Sequence, residues 1–494
     1  MTKNTHSIQK VFLEIDTHSI LMANSIKNNL AMFVQNDIIP VLEKQFDTIE
    51  NINNQIVQIE KIEISINSNT GKTDIFLSNS EAKKDIKNQI EKEIQKRLNE
   101  VQKTAKNENK NESEIRTILP ENKDLKTLLY FIENGNMPWW ISGGDEIVFF
   151  EKMNFENIKN DIFKIPFSKL IQQKKVQNRI INQFSNQEIA LFAAALLGSE
   201  TQQKTHSKNK LIQLLNHKSH EFKTSFWQLL FEVSNEKKPI EIIHFYHQKQ
   251  TEFSSEKMSF ELFIQNLRTF FPIATSDAEL KRMNDKYLDS EKTKSTVKQE
   301  PTSESLKNDS SNTSEIQLKN EDRFQEEKDD SVSSYVQNAG LIILHPFLKE
   351  MLKNCDLIGH DNSIINKELA AHILHYAATK KENDYEHLML FEKFLCGIDI
   401  EESIQREIKI EKKHKQQVEE MLLSVLEHWT ALKSTSTDLL RTEFLQREGK
   451  LDWSESNPKL TIERKTQDLL LEKIPWNITI VKIPWIEKLI YTQW

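Results

Sequence analysis

Hydrophobic and polar residues alternate in two short segments near the N-terminus and follow a helical spacing between them. The segment Val11 to Ile15 places apolar residues at every second position, and Ile62, Ile64 and Ile66 do the same within the segment Ile56 to Ile66. This alternation is typical of a strand with one buried face. From Ser19 to Phe46, apolar residues recur every three or four positions, which predicts a helix that Pro40 could bend. The order strand, helix, strand predicts a small α+β domain over residues 7–80.

Residues 81–115 are predicted to form a polar helix followed by a linker. Four apolar residues recur four positions apart in one narrow stripe: Ile86, Ile90, Ile94 and Leu98. A stripe of this width suits one neighbouring helix, either in a partner or in the helix's own domain. The charged, Asn-rich residues 107–114 predict the linker.

Short amphipathic patterns continue through residues 120–275 and predict an all-α region of solenoid or bundle type. Its first helix carries Leu125, Leu128, Leu129 and Ile132 on one face. Asn134-Gly135 should end this helix, because glycine tolerates the positive φ of a helix end. The following Pro138-Trp139-Trp140 is interpreted as a wedge at a helix corner, with a ligand platform as the alternative.

The amino-acid composition changes over residues 276–334. They are rich in Ser, Thr, Asp, Glu, Lys and Asn and have few apolar residues, above all from Ser290 to Asp330. Such a segment buries too little apolar surface to offset its ordering entropy, so a disordered linker is predicted.

The last third, residues 335–494, is predicted to be an α+β docking domain. Helical spacing predicts helices over Lys367 to Thr379, Lys415 to His428 and Thr437 to Phe444. Arg447-Glu448-Gly449 is predicted to be a turn. Alternation over Lys459 to Glu463 and Trp476 to Ile483 predicts two strands of a short sheet. The predicted fold class is therefore mainly α with small α+β parts.

Composition narrows the classes of function. A chain of 494 residues is too long for one core. Its net charge of −8 argues against a nucleic-acid binder that neutralises phosphates. With only two cysteines, no apolar N-terminal stretch of a secretory signal and no run of about 18 apolar residues, we expect a cytoplasmic protein without membrane insertion.

No catalytic signature is visible in the chain. Gly-rich phosphate loops, Gly-x-Ser-x-Gly and His-Glu-x-x-His are all missing. His372 and His375 lie three apart on a predicted helix and could face one metal ion, but no carboxylate follows at a further ligand spacing, so a structural role is favoured. We therefore predict no enzymatic activity and no catalytic, cofactor-binding or metal-binding residues.

Two other groups of residues in the last third invite a structural interpretation. Arginine and glutamate cluster there and could form one partly buried ion network: Arg441, Arg447 and Arg464 with Glu443, Glu448 and Glu463. Five tryptophans suit core corners or protein–protein contacts: Trp429, Trp453, Trp476, Trp485 and Trp494. The terminal Trp494 could also plug a partner's pocket.

Five segments of the last third, in order, carry a family resemblance. They are Asn338-Ala339-Gly340-Leu341 with His345-Pro346-Phe347-Leu348, Phe394-Leu395-Cys396-Gly397, His428-Trp429 with Leu432-Lys433, Leu440 to Gly449, and Ile474-Pro475-Trp476 to Ile483-Pro484-Trp485. Together they resemble the C-terminal region of contractile injection system tape measure proteins. The strand–helix–strand of Ile8 to Ile66 and the segment Leu128 to Trp140 resemble earlier parts of that family.

The resemblance implies a non-enzymatic protein of a phage-tail-like particle that sets the length of the inner tube and sheath. Implied partners are the inner tube, the baseplate hub or spike and the tube-terminating cap, with self-association as a further option and no nucleic acid. The protein would be incorporated in the tube lumen or the baseplate. As one helix the chain would reach at most about 740 Å at roughly 1.5 Å per residue, yet its patterning predicts compact parts. The alternative is an assembly chaperone or adaptor for a tube, baseplate or toxin component that is absent from the finished particle.

Overall fold

The computed structural model describes a large part of the chain in two compact units. The described residues are 32, 34–47, 56–59, 87–97, 115–141, 144–197, 209–236, 239–271, 273, 275–296, 333–453 and 456–494. The first unit lies within residues 1–128 and 138–151, and the second comprises residues 129–137 and 152–494. The predicted strand from Val11 to Ile15 and most of the predicted linkers, including residues 297–332, lie outside the described residues.

Among the described residues, the first unit contains a two-stranded sheet and several helical segments. Strands β1 (Ile56–Ile59) and β2 (Ile115–Ile118) pair antiparallel, with Ile56 opposite Ile118. The helix Ile39–Asp47 follows a π-helical turn, Val34–Ile38. Strand β1 begins where the pattern predicted it, whereas β2 was not predicted.

The predicted polar helix is present over residues 87–97 and docks within its own unit. Ile90 and Ile94 of the apolar stripe are buried. On the neighbouring helix, Gln45 Nε2 and Lys44 Nζ each lie 2.8 Å from Glu91 Oε1. The contacts therefore favour docking of this helix on its own domain.

The helix Pro120–Asn134 ends as its sequence predicts. Gly135 has φ +80°, and its N–H donates to Phe131 O at 2.8 Å. Trp140 Nε1 donates to the buried Thr127 Oγ1 at 2.9 Å, and the rings of Trp139 and Trp140 meet edge to face. The indole contact with this helix supports the interpretation of Pro138-Trp139-Trp140 as a wedge at a helix corner. The helix Asp145–Lys152 follows.

The predicted all-α character of the central region is confirmed. Its helical elements are Phe155–Lys159, Asp161–Leu170, Lys174–Gln183, Asn186–Leu197, Lys210–His217, His220–Glu236, Pro239–Gln248, Gln250–Ser255, Phe260–Leu267 and Asp277–Thr296. Phenylalanines from different helices pack together, for example Phe163 and Phe167 of Asp161–Leu170 with Phe192 of Asn186–Leu197. Asn160 and Asn209 begin helices because each side-chain oxygen accepts an N–H of the first turn. The helix Asp277–Thr296 occupies the start of the segment predicted as a linker.

The C-terminal third contains a five-stranded sheet covered by helices. The strands are β3 (Ser333–Val336), β4 (Gly449–Asp452), β5 (Lys459–Ile462), β6 (Ile480–Val481) and β7 (Ile490–Gln493), in the order β3-β4-β5-β7-β6. Neighbours pair antiparallel except β5 and β7, which are parallel. The helical elements are Ala339–Leu344, His345–Asn354, Lys367–Thr379, Glu386–Met389, Leu390–Leu395, Lys412–His428, Thr430–Leu432, Thr437–Leu440, Arg441–Leu445 and Thr466–Lys473.

Several local predictions in this third are corrected. Only Ile480–Val481 of the predicted strand Trp476 to Ile483 is a strand, because Trp476 and the residues after it fold over the core instead. The predicted helix over Thr437 to Phe444 continues as a π-helix from Arg441. Gly449 is not in a turn but begins β4, where a Cβ would lie 2.6 Å from Ala339 Cβ. The four-residue strands β3, β4 and β7 were not predicted, whereas β5, of the same length, lies within the predicted strand Lys459 to Glu463.

Within the residues that the structure describes, none of the helices has the length and apolar character needed to cross a membrane.

Candidate functional site

Arg179 is the centre of a buried polar cluster in the second unit. It lies on the helix Lys174–Gln183 and is fully buried. Its Nε is 2.6 Å from Glu386 Oε1, and its Nη1 donates to Ile132 O at 2.9 Å and to Glu133 O at 2.7 Å. Its Nη2 donates to Glu401 O. One guanidinium therefore joins the end of the helix Pro120–Asn134 to two segments of the C-terminal third.

Glu386 is shared between Arg179 and a second buried cation, Lys393. Lys393 Nζ lies 3.3 Å from Glu386 Oε2 and donates to Ile400 O at 2.7 Å. Burial lowers the pKa of Lys393, and the nearby charge of Arg179 lowers it further, while Glu386 opposes both. Two cations surround one carboxylate, so the cluster has excess positive charge when all three groups are ionised.

Uncharged polar side chains extend this cluster along the same helix. Gln183 Nε2 donates to Ile404 O at 2.7 Å, and Gln183 Oε1 accepts the N–H of Glu386 at 2.9 Å. Asn182 Nδ2 donates to Ser403 Oγ at 2.8 Å, and Asn182 O accepts the N–H of Arg406 at 3.0 Å. We call this set the joint: Arg179, Asn182 and Gln183 on one side, and Glu386, Glu401, Ser403, Ile404 and Arg406 on the other.

His372 and His375 bind different partners and do not converge on a common point. The ring nitrogens of His372 face the carbonyl oxygens of Glu382 at 3.1 Å and Gln405 at 2.7 Å. Burial lowers the pKa of His372. Among the residues that the structure describes, no group of three His, Cys, Asp or Glu side chains is placed to hold a metal ion. These contacts support a structural role for the pair.

His375 lies between two carboxylates. Its Nδ1 is 2.9 Å from Glu392 Oε1 and its Nε2 is 3.5 Å from Asp384 Oδ2. Burial lowers the pKa of His375, but the hydrogen bonds and charges of the two carboxylates outweigh it and raise the pKa to about 9. Asn338 Nδ2 also donates to Glu392 Oε1, at 2.7 Å. The first residue of the Asn338-Ala339-Gly340-Leu341 segment is thereby fixed to this buried ion pair.

The predicted network of arginines and glutamates forms two separate clusters with other partners. Arg447 Nη2 binds the buried Asp468 at 2.7 Å and reaches Glu443 and Glu463 only through their carbonyl oxygens. Arg441 binds Glu419, Asp438 and the carbonyl oxygen of Ala377. Arg464 is exposed. The partners Asp468, Glu419 and Asp438 were not predicted.

Sequence reasoning also missed Arg179, Glu386, Glu392 and Lys393. A signal for two of them exists in the chain. Glu392-Lys393 interrupts the otherwise apolar run Leu388 to Leu395, so both charges fall on a helix that is apolar on all sides. Charged residues in such a helix are expected to be paired when buried.

The Ile-Pro-Trp segments anchor the C-terminal chain to the core. Trp476 Nε1 donates to Ile343 O at 3.0 Å, and Trp485 Nε1 donates to Leu395 O at 2.7 Å. The buried Trp429 donates to Leu470 O at 3.1 Å. Trp494 also packs against this core and is half-buried. These tryptophans serve as core corners, and a role of Trp494 in a partner's pocket stays a prediction.

The surface of the C-terminal third carries isolated apolar groups and one shallow pocket. On the outer face of the sheet, Ile480 lies directly opposite Tyr491, and both are exposed. The pocket is lined by Asp361, Asn362, Ser363, Lys482, Pro484, Trp485, Ile486 and Glu487. Its lining combines charged and polar side chains with the apolar Pro484, Trp485 and Ile486.

Comparisons with known proteins give one match. A model of the family "Contractile injection system tape measure protein" matches residues 5–494, which is nearly the whole chain. No curated protein and no solved structure matches the chain.

Proposed function

Because the chain belongs to the contractile injection system tape measure protein family, we propose that it sets the length of the inner tube and sheath of such a particle. The observation that carries this proposal is the extent of the family match, which reaches from residue 5 to residue 494 and includes both units. The family is structural, and we infer that this chain acts without enzymatic chemistry.

The partners that we propose are the inner tube, the baseplate hub or spike and the cap that ends the tube. The folded C-terminal third would dock on one of these components, because it presents exposed apolar side chains such as Ile480 and Tyr491. A partner that covers these side chains would remove their apolar surface from water, which favours association. The remainder of the chain would determine how far the tube grows before it is capped.

Electron microscopy of particles from strains with altered chains tests this function. In one strain, residues 297–332 are deleted in frame; in the matched control, the same residues keep their composition in a scrambled order. A length-setting role predicts shorter tubes in the first strain and tubes of normal length in the second. Tubes of normal length and number in both strains would contradict the length-setting role.

A second candidate function is an assembly factor that leaves the particle. It is favoured by the compact fold of the second unit, since a literal ruler is expected to be extended. Mass spectrometry of purified particles separates the two candidates. A ruler is expected in a few copies per particle, whereas an assembly chaperone or adaptor is expected only in the lysate from which the particles were purified.

A further inference from the structure

The second unit consists of two parts that meet at the joint. The central part comprises residues 129–137 and 152–296, and the C-terminal part comprises residues 333–494. We propose that the chain opens at the joint, so that the two parts separate while each stays folded. This inference concerns the chain itself and does not rest on the proposed function.

The C-terminal part has a hydrophobic core of its own. This core is a single cluster of buried apolar residues, all of which lie between Val336 and Ile490. The most extensive helix contacts also stay within one part: Lys367–Thr379 packs on Leu390–Leu395 and Lys412–His428, and Lys174–Gln183 packs on His220–Glu236. Separation at the joint would therefore leave this core closed.

The charged groups of the joint keep partners on their own side when it opens. Glu386 retains Lys393, and Lys393 retains Ile400 O, all within the C-terminal part. Arg179 retains Ile132 O and Glu133 O within the central part. A buried charge that loses its partner is strongly destabilising, and opening avoids this because each charge keeps a partner or enters water.

Opening breaks the buried ion pair of Arg179 with Glu386, after which each of the two charges keeps its remaining partners or enters water. The other side chains that lose contacts across the joint include uncharged amides and a hydroxyl. Asn182, Gln183 and Ser403 each exchange a contact across the joint for a contact with water. Such an exchange has a modest net free energy, about 0.5–1.5 kcal/mol per hydrogen bond. Opening also removes the charge of Arg179 from the neighbourhood of Lys393, which offsets part of the attraction that Arg179 loses when it leaves Glu386.

Rings also cross the joint, and those on the C-terminal side carry polar atoms. Tyr385 and His387 meet Phe131 with ring centroids 6.5 Å and 5.5 Å apart, and Tyr385 lies 6.2 Å from Phe184. Arg406 lies over the Tyr385 ring at 4.6 Å, and both belong to the C-terminal part. Tyrosine and histidine tolerate partial hydration better than phenylalanine does, which suits a surface that is sometimes exposed.

Hydrogen exchange of the full chain tests the proposal. The amides of Glu386 and Arg406 donate across the joint, to Gln183 Oε1 and Asn182 O. We expect both to exchange at least about 100-fold faster than amides in the helix interiors over residues 189–195 and 418–426, because opening requires less free energy than global unfolding. Equal exchange rates for these two amides and for the amides of both helix interiors would overturn the proposal.

Two matched substitutions on one helix separate opening of the joint from local fraying. Arg179→Gln removes the buried cation, whereas Lys174→Gln removes an exposed ion pair with Glu232, 2.8 Å long, that stays within the central part. We expect Arg179→Gln to accelerate exchange of the Glu386 and Arg406 amides together by about tenfold or more, and Lys174→Gln to leave them unchanged. If Arg179→Gln accelerates the helix interiors equally, the unit unfolds as one body and the proposal is wrong. Should Arg179→Gln fail to fold, Asn182→Ala provides the same comparison.

Distances between spin labels give an independent measure. Cysteines replace the exposed Lys169 in the central part and the exposed Lys412 in the C-terminal part; the native Cys355 and Cys396 are buried. Double electron–electron resonance is expected to show a second, longer distance, whose population grows with Arg179→Gln and not with Lys174→Gln. A single distance, unchanged in both variants, would overturn the proposal.

Discussion

A Cβ atom at Gly135 would lie 2.9 Å from Nη2 of Arg179, so the two residues fit only because position 135 has no side chain. Gly135 also ends the helix Pro120–Asn134 with φ +80°. Position 135 therefore requires glycine for two independent reasons, the positive φ of the backbone and the close approach of the Arg179 guanidinium.

Gly135→Ala should destabilise the second unit by about 2–3 kcal/mol, since it combines the strain of a positive φ with displacement of Arg179. The control is Gly397→Ala in the same unit, because Gly397 has φ +67° and the nearest atom to its Cβ position is Lys367 Nζ at 3.8 Å, an ordinary contact. That control should cost only about 1 kcal/mol. Urea unfolding of each variant against the parent chain measures both values, and equal losses would show that the Arg179 contact is unimportant.

The sequence predicts the local structure around Gly135 but not its contact with Arg179. Helical spacing and Asn134-Gly135 determine where that helix ends, because both act over a few residues. Arg179 and Glu386 are 207 residues apart, and an arginine on an amphipathic helix normally lies in solvent. The strands β3 and β7 were missed for a related reason, since short strands are specified by the partners with which they pair.

Gly340 explains why glycine follows Asn338-Ala339 at the start of the C-terminal third. A Cβ there would lie 1.7 Å from the carbonyl oxygen of Phe444 and 2.8 Å from the Cα of Leu445. Both obstacles are backbone, so Gly340→Ala should separate these segments and cost about 3 kcal/mol or more. At Gly359 the nearest obstacle is the side chain of Asp361, which can rotate, so Gly359→Ala should be much milder. Thermal unfolding compares the two variants, and a similar midpoint for both would contradict the close approach.

The indole N–H groups of Trp485 and Trp494 should differ in how much they contribute to the stability of the fold. Trp485→Phe removes the hydrogen bond to Leu395 O. This loss should lower the free energy of unfolding by about 1 kcal/mol, in addition to the packing lost with the smaller ring. Trp494 is the control, because its buried Nε1 has no hydrogen-bond partner among the described residues. Trp494→Phe removes an unsatisfied donor and should be close to neutral. Chemical denaturation of both variants tests the prediction that Trp485→Phe loses more stability. A larger loss of stability in Trp494→Phe would contradict it.

The His375 ion pair should make the second unit less stable as the pH rises from about 6.5 to about 9. The pKa of His375 is raised to about 9 in the folded chain, against its ordinary 6.5, despite the opposing effect of burial. The folded state therefore holds a proton that the unfolded state releases in this range. The stabilisation is complete below pH 6.5, declines with rising pH and is lost above about 9.

Glu392→Gln removes one carboxylate and should move the decline to lower pH, whereas His360→Gln, at an exposed histidine, should leave the profile unchanged. Urea midpoints of the three proteins measured from pH 6 to pH 9.5 check the prediction, and parallel profiles for the parent chain and Glu392→Gln would refute the role of the pair.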